Sequence, residues 1–208
     1  MDRFLESCCV SLEQARYAEE HGASRIELCE QLEVGGVTPS RELLEAVIAA
    51  VGIPVNVLVR PRGGDFHFNA SEVQQMLDDI RACQQAGAHG VVIGALDASG
   101  HIDMPTMRKL VSEARQCGLS ITFHRAFDVC ADPLEAFEQI VSLGCDRLLT
   151  SGHEADAYTG RFLIAELVRR SSGRIVVMAG CGVRPSNIDE ISHVSEAPEY
   201  HASFSFFQ

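Results

Sequence analysis

The sequence contains no tryptophan, little positive charge and no long apolar run. Its 208 residues carry 17 Lys and Arg against 29 Asp and Glu, which gives a formal net charge of −12. This balance disfavours a nucleic-acid binder, because phosphate contacts depend on lysine and arginine. No run approaches the roughly 18 apolar residues of a membrane-spanning helix, so we expect no membrane partner. The first residues lack the basic start and apolar stretch of a secretory signal, so we expect no export.

Cysteine is frequent, with eight residues, but no Cys-x-x-Cys pair occurs. Zinc ribbons and thioredoxin-like sites both use a Cys-x-x-Cys pair, so the lack of this pair excludes them. The cysteine content lies below that of small secreted disulfide scaffolds, and regular apolar segments supply a core. We therefore predict a globular cytoplasmic protein with reduced thiols.

Short apolar runs rich in β-branched residues alternate with segments of helical period. The pattern predicts eight strands, at residues 4–10, 25–29, 55–61, 90–96, 120–127, 147–150, 174–179 and 199–204. It predicts seven helices between them, near residues 12–21, 41–51, 71–86, 105–117, 133–143, 160–170 and 185–194. Four of the helices are followed by a glycine that is typical of a C-terminal cap, namely Gly22, Gly87, Gly118 and Gly144.

This repeated order of strand and helix leaves two main architectures, an open doubly wound sheet and a closed (β/α)₈ TIM barrel. Eight strands favour the barrel, in a single domain over residues 1–208. The chain stops directly after the eighth predicted strand, so we expect the barrel to lack its last helix. Phe204, Phe206 and Phe207 then predict an apolar seam that packs on the bare barrel wall or on another subunit.

Functional residues of such barrels lie at the carboxyl ends of the strands. The predicted strand ends carry a set of charged and titratable side chains: Glu6, Glu27, Arg60, His124, Arg125 and Asp128. Buried glutamates need partners, and Arg60 and His124 are the nearest candidates for Glu6 and Glu27. The set is typical of an enzyme that acts on a small anionic metabolite, with His124 as the titratable group. Ion pairing that merely caps the barrel is the alternative interpretation.

A glycine-rich segment, residues 179–186, follows the seventh predicted strand and precedes a predicted helix. Barrels often bind a phosphate at this place through backbone N–H groups, which makes Gly180 and Gly182 a candidate anion site. A tight turn between strand and helix explains the same two glycines without a ligand.

Cys8 and Cys29 lie on neighbouring predicted strands, which are roughly 4.8 Å apart. Two thiolates at that spacing can flank a soft ion such as Cu(I), and ordinary buried thiols are the alternative. Cys9 cannot join Cys8 in such a site, because consecutive residues of a strand point to opposite faces.

Several motifs occur together in an order that resembles the CutC family of copper-homeostasis proteins. The most specific are Arg60-Pro61-Arg62-Gly63-Gly64-Asp65-Phe66 and Thr122-Phe123-His124-Arg125-Ala126-Phe127-Asp128. The other matching segments are residues 5–8, 25–29, 35–40, 97–103, 147–152 and 179–183. The resemblance extends from residue 4 to about residue 190, whereas the Phe-rich end differs from the family pattern.

The resemblance implies a cytoplasmic (β/α)₈ barrel associated with copper, forming homo-oligomers, with cysteine thiols that bind Cu(I). Carried over to this sequence, those thiols are Cys8 and Cys29. Three hypotheses follow: a Cu(I)-binding homeostasis protein, an enzyme of unknown reaction on a small anionic metabolite, and a scaffold that docks a partner at its Phe-rich end.

Overall fold

The computed structural model describes residues 3–208 and contains a closed barrel of parallel strands in the order β1 to β8. The strands are β1 (Phe4–Cys9), β2 (Arg25–Leu28), β3 (Val55–Leu58), β4 (Gly90–Ile93), β5 (Ser120–Phe123), β6 (Arg147–Thr150), β7 (Val176–Gly180) and β8 (Glu199–Ser203). Pairing of β8 with β1 closes the barrel. The predicted fold class is thereby confirmed.

Seven α-helices lie on the outside of the barrel in the described part of the chain. They are α1 (Leu12–Glu20), α2 (Arg41–Ile48), α3 (Ala70–Ala86), α4 (Met104–Gln116), α5 (Pro133–Leu143), α6 (Arg161–Ser171) and α7 (Ile188–Ser195). After β8 the described chain forms only a 3₁₀ helix, Phe204–Phe206. The eighth α-helix of a complete (β/α)₈ barrel is therefore missing from residues 3–208, as predicted.

Two further 3₁₀ helices, Leu32–Val34 and Arg125–Val129, lie in the loops after β2 and β5. Neither helix was predicted from the sequence, and the prediction that the fifth strand continues to residue 127 is wrong. The chain turns there because the Nδ1 atom of His124 accepts a hydrogen bond from the amide of Ala126, at 3.1 Å. This bond ends the extended backbone and begins the helical turn.

The helix ends follow local sequence signals. Asn69 and Glu72 form a capping box at the start of α3. Gly87 and Gly144 adopt positive φ angles of 91° and 80° at the ends of α3 and α5, as their positions predict. These signals set where each helix begins and ends before any tertiary contact is considered.

The apolar core divides into two groups on either side of the sheet. The large group lies between strands and helices and includes Cys9, which is fully buried. The small group lies inside the barrel and consists of Cys8, Cys29, Leu58 and Val92. The opposite orientation of Cys8 and Cys9 is therefore confirmed.

The Phe-rich end packs on its own barrel. Phe204 makes an edge-to-face contact with Tyr17 of α1, with ring centroids 5.3 Å apart. Phe207 is only 9% exposed and belongs to the large core group. The predicted apolar seam is thus covered by the chain itself. Within residues 3–208, no helix is long and apolar enough to cross a membrane.

Candidate functional site

A cavity of about 430 Å³ opens at the carboxyl ends of the strands. Its lining includes most of the residues selected from the sequence, namely Cys8, Glu27, Arg60, His124, Arg125 and Asp128. It also includes His201, which the sequence analysis did not select. The cavity lies where barrels of this class bind ligands.

The register of three strands determines which side chains meet at the base of this cavity. Cys8 of β1 lies opposite Glu27 of β2, and Glu6 of β1 lies opposite both Arg25 of β2 and His201 of β8. Because side chains alternate along a strand, these inward positions form successive layers inside the barrel.

Glu6 is fully buried and forms ion pairs with two side chains. Arg25 donates to its Oε2 atom, and the Nδ1 atom of His201 lies 2.8 Å from its Oε1 atom. Burial alone raises the pKa of Glu6, but the hydrogen bonds and charges of His201 and Arg25 outweigh burial and lower it to about 2. Arg25 also binds Glu199 at 2.5 Å. The prediction that Arg60 and His124 are the partners of Glu6 is wrong, because Arg25 and His201 occupy the neighbouring inward positions.

Glu27 is buried without a comparable partner. Its Oε2 atom lies 3.9 Å from the Nδ1 atom of His201 and makes no hydrogen bond within residues 3–208. Burial raises the pKa of this carboxyl group to about 7, with the charge of Glu6 adding to the effect. Glu27 therefore supplies an unpaired acceptor at the base of the cavity.

Arg60 holds two loops together instead of pairing with a carboxylate. Its guanidinium donates to the carbonyl oxygens of Val34 at 3.2 Å, Gly36 at 3.0 Å and Gly64 at 2.6 Å, and stacks over the ring of Phe66 at 4.6 Å. Burial and the nearby charge of Arg62 lower its pKa. The buried Nε atom has no partner among the described residues. A buried positive charge without a counter-ion favours an anionic ligand.

His124 is buried beside Phe66, with ring centroids 5.0 Å apart. Burial, followed by the charge of Arg60, lowers its pKa to about 3. The ring is therefore neutral near neutral pH. The acid or base role of His124 stays a prediction. Its Nδ1 atom accepts from Ala126, and no described residue bonds to the buried Nε2 atom. Since Nδ1 is the acceptor, Nε2 carries the proton and can donate to a ligand.

Asp128 and Arg125 form an ion pair at the edge of the cavity. Asp128 accepts hydrogen bonds from the hydroxyl of Thr150 at 2.5 Å and the amide of Ser151 at 3.0 Å. The Oδ2 atom of Asp128 also lies 2.8 Å from the Nε atom of Arg125. The Arg125 side chain is 42% exposed. The buried Asp128 thus has partners on all sides, while Arg125 keeps contact with solvent.

Cys8 and Cys29 meet inside the barrel, with sulfur atoms 3.6 Å apart. The hydrogen bond with Cys29, burial and the charge of Glu27 raise the pKa of Cys8 well above its ordinary value, which keeps the thiol protonated. Cys8 belongs to a second set as well: donor atoms of Cys8, Glu27 and His201 all lie within 4.8 Å of one another. The cavity base therefore offers sulfur, oxygen and nitrogen ligands together.

The packing around Gly180 and the backbone conformation at Gly182 both favour glycine. A Cβ atom on Gly180 would lie 2.3 Å from Leu149 Cδ1, and Gly182 has a positive φ angle of 68°. The Nδ2 atom of Asn187 donates to the carbonyl of Gly182 at 2.9 Å. α7 begins only at residue 188, later than predicted. The anion site at these two glycines stays a prediction.

Three charged residues of the barrel interior were missed in the sequence, namely Arg25, Glu199 and His201. A signal for them exists, because Arg25 lies two residues before Glu27 and Glu199 lies two residues before His201. The alternation of a strand places each pair on one face. Applied to β2 and β8, this rule would have added all three residues to the candidate site.

Comparison with known proteins relates this barrel to one family. The model of the CutC family matches residues 3–206. A CutC family protein of Parabacteroides distasonis is 50% identical over 204 residues, which cover 98% of this chain and 83% of that protein. A CutC family protein of Histophilus somni is 46% identical over 204 residues, with the same two shares. A crystal structure described as "Putative Copper Homeostasis Protein CutC from Streptococcus agalactiae" has a TM-score of 0.91 at 31% identity, covering 97% of this chain and 98% of that chain.

Fold and site together define a parallel (β/α) barrel with a polar ligand cavity at the carboxyl ends of its strands. The match to the family model extends over nearly all of the described residues, and two relatives share close to half of their residues with this chain. The chain belongs to the CutC family.

Proposed function

We propose that this protein is a cytoplasmic copper-homeostasis protein that binds Cu(I) through the thiols of Cys8 and Cys29. The observation that carries the proposal is the 3.6 Å separation of the two sulfur atoms inside the barrel. The two sulfur atoms are close enough for one ion to bind both. Soft thiolate ligands favour Cu(I).

The surroundings of the two thiols also support this proposal. Both cysteines are buried, and Leu58 and Val92 complete the small apolar group around them. An apolar shell limits contact of a bound ion with water and oxidants. The crystal structure from Streptococcus agalactiae is described as that of a "Putative Copper Homeostasis Protein". All eight cysteines are free thiols, which favours a reducing compartment such as the cytoplasm.

An anaerobic Cu(I) titration against a competing chelator tests the proposal. We expect the reduced protein to bind one tightly held ion and the Cys8→Ser, Cys29→Ser double variant to lose it. Cys9→Ser is the matched control, because Cys9 is the next residue of β1 but faces the helices. Equal affinity in the double variant and the wild type would refute the assignment.

Binding of a small anionic metabolite by an enzyme is the second candidate function. It is supported by two buried donors without partners in the described chain, the Nε atom of Arg60 and the Nε2 atom of His124, both on cavity-lining residues. Glu6, Glu27, Arg125 and Asp128 are the other catalytic candidates, and Gly180 and Gly182 are further anion-binding positions of this proposal. A thermal-shift screen with phosphorylated and carboxylated metabolites tests it.

Two arginine variants serve as the test and the control for that screen. Arg60→Ala should abolish the stabilisation by any hit, whereas Arg62→Ala should retain it, because Arg62 does not line the cavity. A screen without a hit counts against this second function. So does a metabolite that stabilises the Arg60→Ala variant as much as the wild type.

Self-association is part of the proposal. Large apolar side chains are exposed at the cavity mouth, with exposed fractions of 48% for Leu32, 42% for Val34 and 62% for Val129. Covering such a patch favours a homo-oligomer. Light scattering over a range of concentrations checks this, and a monomer at every concentration would contradict it.

A further inference from the structure

Three different ligand atoms converge at the base of the cavity from three strands. Cys8 of β1, Glu27 of β2 and His201 of β8 offer a sulfur, a carboxylate oxygen and an imidazole nitrogen within 4.8 Å of one another. Cys29 is not part of this group, although its sulfur lies 3.6 Å from that of Cys8. The arrangement is therefore a donor set separate from the thiol pair.

Glu27 supplies independent support for a cation at this place. Its side chain is 8% exposed, and its Oε2 atom has no hydrogen-bond partner in residues 3–208. No arginine within the same residues lies close enough to form an ion pair with it, in contrast to Glu6, which is paired with Arg25. A buried acceptor of this kind is unfavourable unless a ligand satisfies it.

His201 is oriented as a metal-binding histidine is. Its Nδ1 atom lies 2.8 Å from Glu6 Oε1, which leaves Nε2 without a hydrogen-bond partner in the described chain. Histidines that bind metals commonly donate their other ring nitrogen to a carboxylate, which fixes the ring and its tautomer. Glu6 and His201 form such a pair.

The charges of the group fit a divalent ion. When the ion binds, it displaces the thiol proton of Cys8 and the Nε2 proton of His201. The Cys8 thiolate and the Glu27 carboxylate then carry two negative charges together, and the bound imidazole of His201 is neutral. Glu6 is neutralised by Arg25, so it leaves this sum unchanged. One sulfur, one nitrogen and one oxygen form a mixed donor set that suits a borderline ion of the zinc class better than a soft monovalent one.

We propose that Cys8, Glu27 and His201 form a three-ligand site for a divalent cation of the zinc class, with its remaining coordination position facing the cavity. Three protein ligands and one open position are typical of catalytic rather than structural zinc. Arg60 and His124 line the same cavity. The site shares Cys8 with the proposed Cu(I) pair but does not depend on Cu(I) binding.

Anaerobic titration of the reduced full chain with Co²⁺, followed by competition with Zn²⁺, tests this proposal. The wild type should show the thiolate-to-cobalt absorption band and the intense visible bands of four-coordinate Co²⁺, and Zn²⁺ should abolish them. Cys29→Ser should retain the bands while losing Cu(I) binding, which separates this site from the proposed copper pair. Cys8→Ser should lose the thiolate band.

His201→Gln and Glu27→Gln test the other two ligands. Each should weaken Co²⁺ binding by more than the roughly 10- to 100-fold that loss of an outer partner costs. His153→Gln, at a histidine outside the group, is the control and should bind as the wild type does. Unchanged affinity in both ligand variants, or no thiolate band in the wild type, would overturn the proposal.

A measurement on the unaltered protein covers the case in which a variant does not fold. X-ray absorption of the Zn²⁺-loaded wild type should give one sulfur ligand near 2.3 Å and lighter ligands near 2.0 Å. Two sulfur ligands would assign the ion to the pair of Cys8 and Cys29 and overturn the three-ligand site.

Discussion

The Nδ1 atom of His201 lies 2.8 Å from Oε1 of Glu6, and this contact joins the last strand of the barrel to the first. The two residues are 195 positions apart in the chain. Arg25 binds the other oxygen of the same carboxylate, so three strands meet at one buried group. Closure of the barrel and assembly of the candidate site therefore occur together.

The first prediction concerns Arg25, which is 3% exposed and binds both Glu6 and Glu199. Arg25→Gln removes the charge between two buried carboxylates, so we expect a loss of about 3–5 kcal/mol in the free energy of unfolding. Urea denaturation measures it. Arg41→Gln is the control, because its pair with Glu45 is exposed to solvent and should contribute little to stability. Similar losses in the two variants would contradict the role of Arg25.

The second prediction concerns pH and His124, whose pKa is about 3 in the folded chain and 6.5 ordinarily. Below pH 6.5 the unfolded chain binds a proton that the folded chain does not bind until about pH 3. Stability should therefore fall as the pH falls from 6.5 towards 3, by up to about 1.4 kcal/mol per pH unit from this group. Denaturation at several pH values should show a smaller slope for His124→Gln than for the wild type. An unchanged slope in His124→Gln would refute the prediction.

The third prediction concerns Gly94, which lies against the ring of His124. A Cβ atom on Gly94 would lie 2.5 Å from Cε1 and 2.6 Å from Nδ1 of that ring. Gly94→Ala should displace the imidazole and cost about 1–3 kcal/mol. Imidazole NMR signals should move for this variant but not for Gly118→Ala, since nothing lies within 4 Å of a Cβ atom on Gly118. If the His124 signal does not move in Gly94→Ala, the position of the ring does not depend on Gly94.

The fourth prediction concerns Arg60 as the link between two loops. Arg60→Met removes its hydrogen bonds to the carbonyls of Val34, Gly36 and Gly64. We expect faster amide hydrogen exchange over residues 32–36 and 62–66, with little change in the strands. Exchange followed by mass spectrometry measures this difference. Acceleration spread evenly over the whole chain would indicate global destabilisation instead.

Most of the architecture was predictable because it depends on local signals. Apolar runs of β-branched residues marked the strands, and glycines such as Gly87 and Gly144 marked helix ends through their positive φ angles. Alternation along a strand separated Cys8 from Cys9 and brought Cys8 and Cys29 to the barrel interior. The family motifs placed Arg60 and His124 at the mouth, and both line the cavity.

The partners of the charged residues were not predictable in the same way. The sequence indicated that Glu6 and Glu27 needed partners, but distance along the chain does not reveal which side chains face them. Only the closed register places Glu6 opposite both Arg25 and His201. It also leaves Glu27 without a hydrogen bond to its Oε2 atom in the described chain and surrounds His124 with apolar and positive neighbours.

The sequence by itself therefore determined the kind of fold, the family and part of the inward-facing set, because strand period, turn chemistry and motifs are local. The tertiary structure decided which carboxylate is neutralised, which stays unpaired and which histidine can act as a ligand. Those outcomes depend on burial and on contacts between β1, β2 and β8, which form only when the barrel closes.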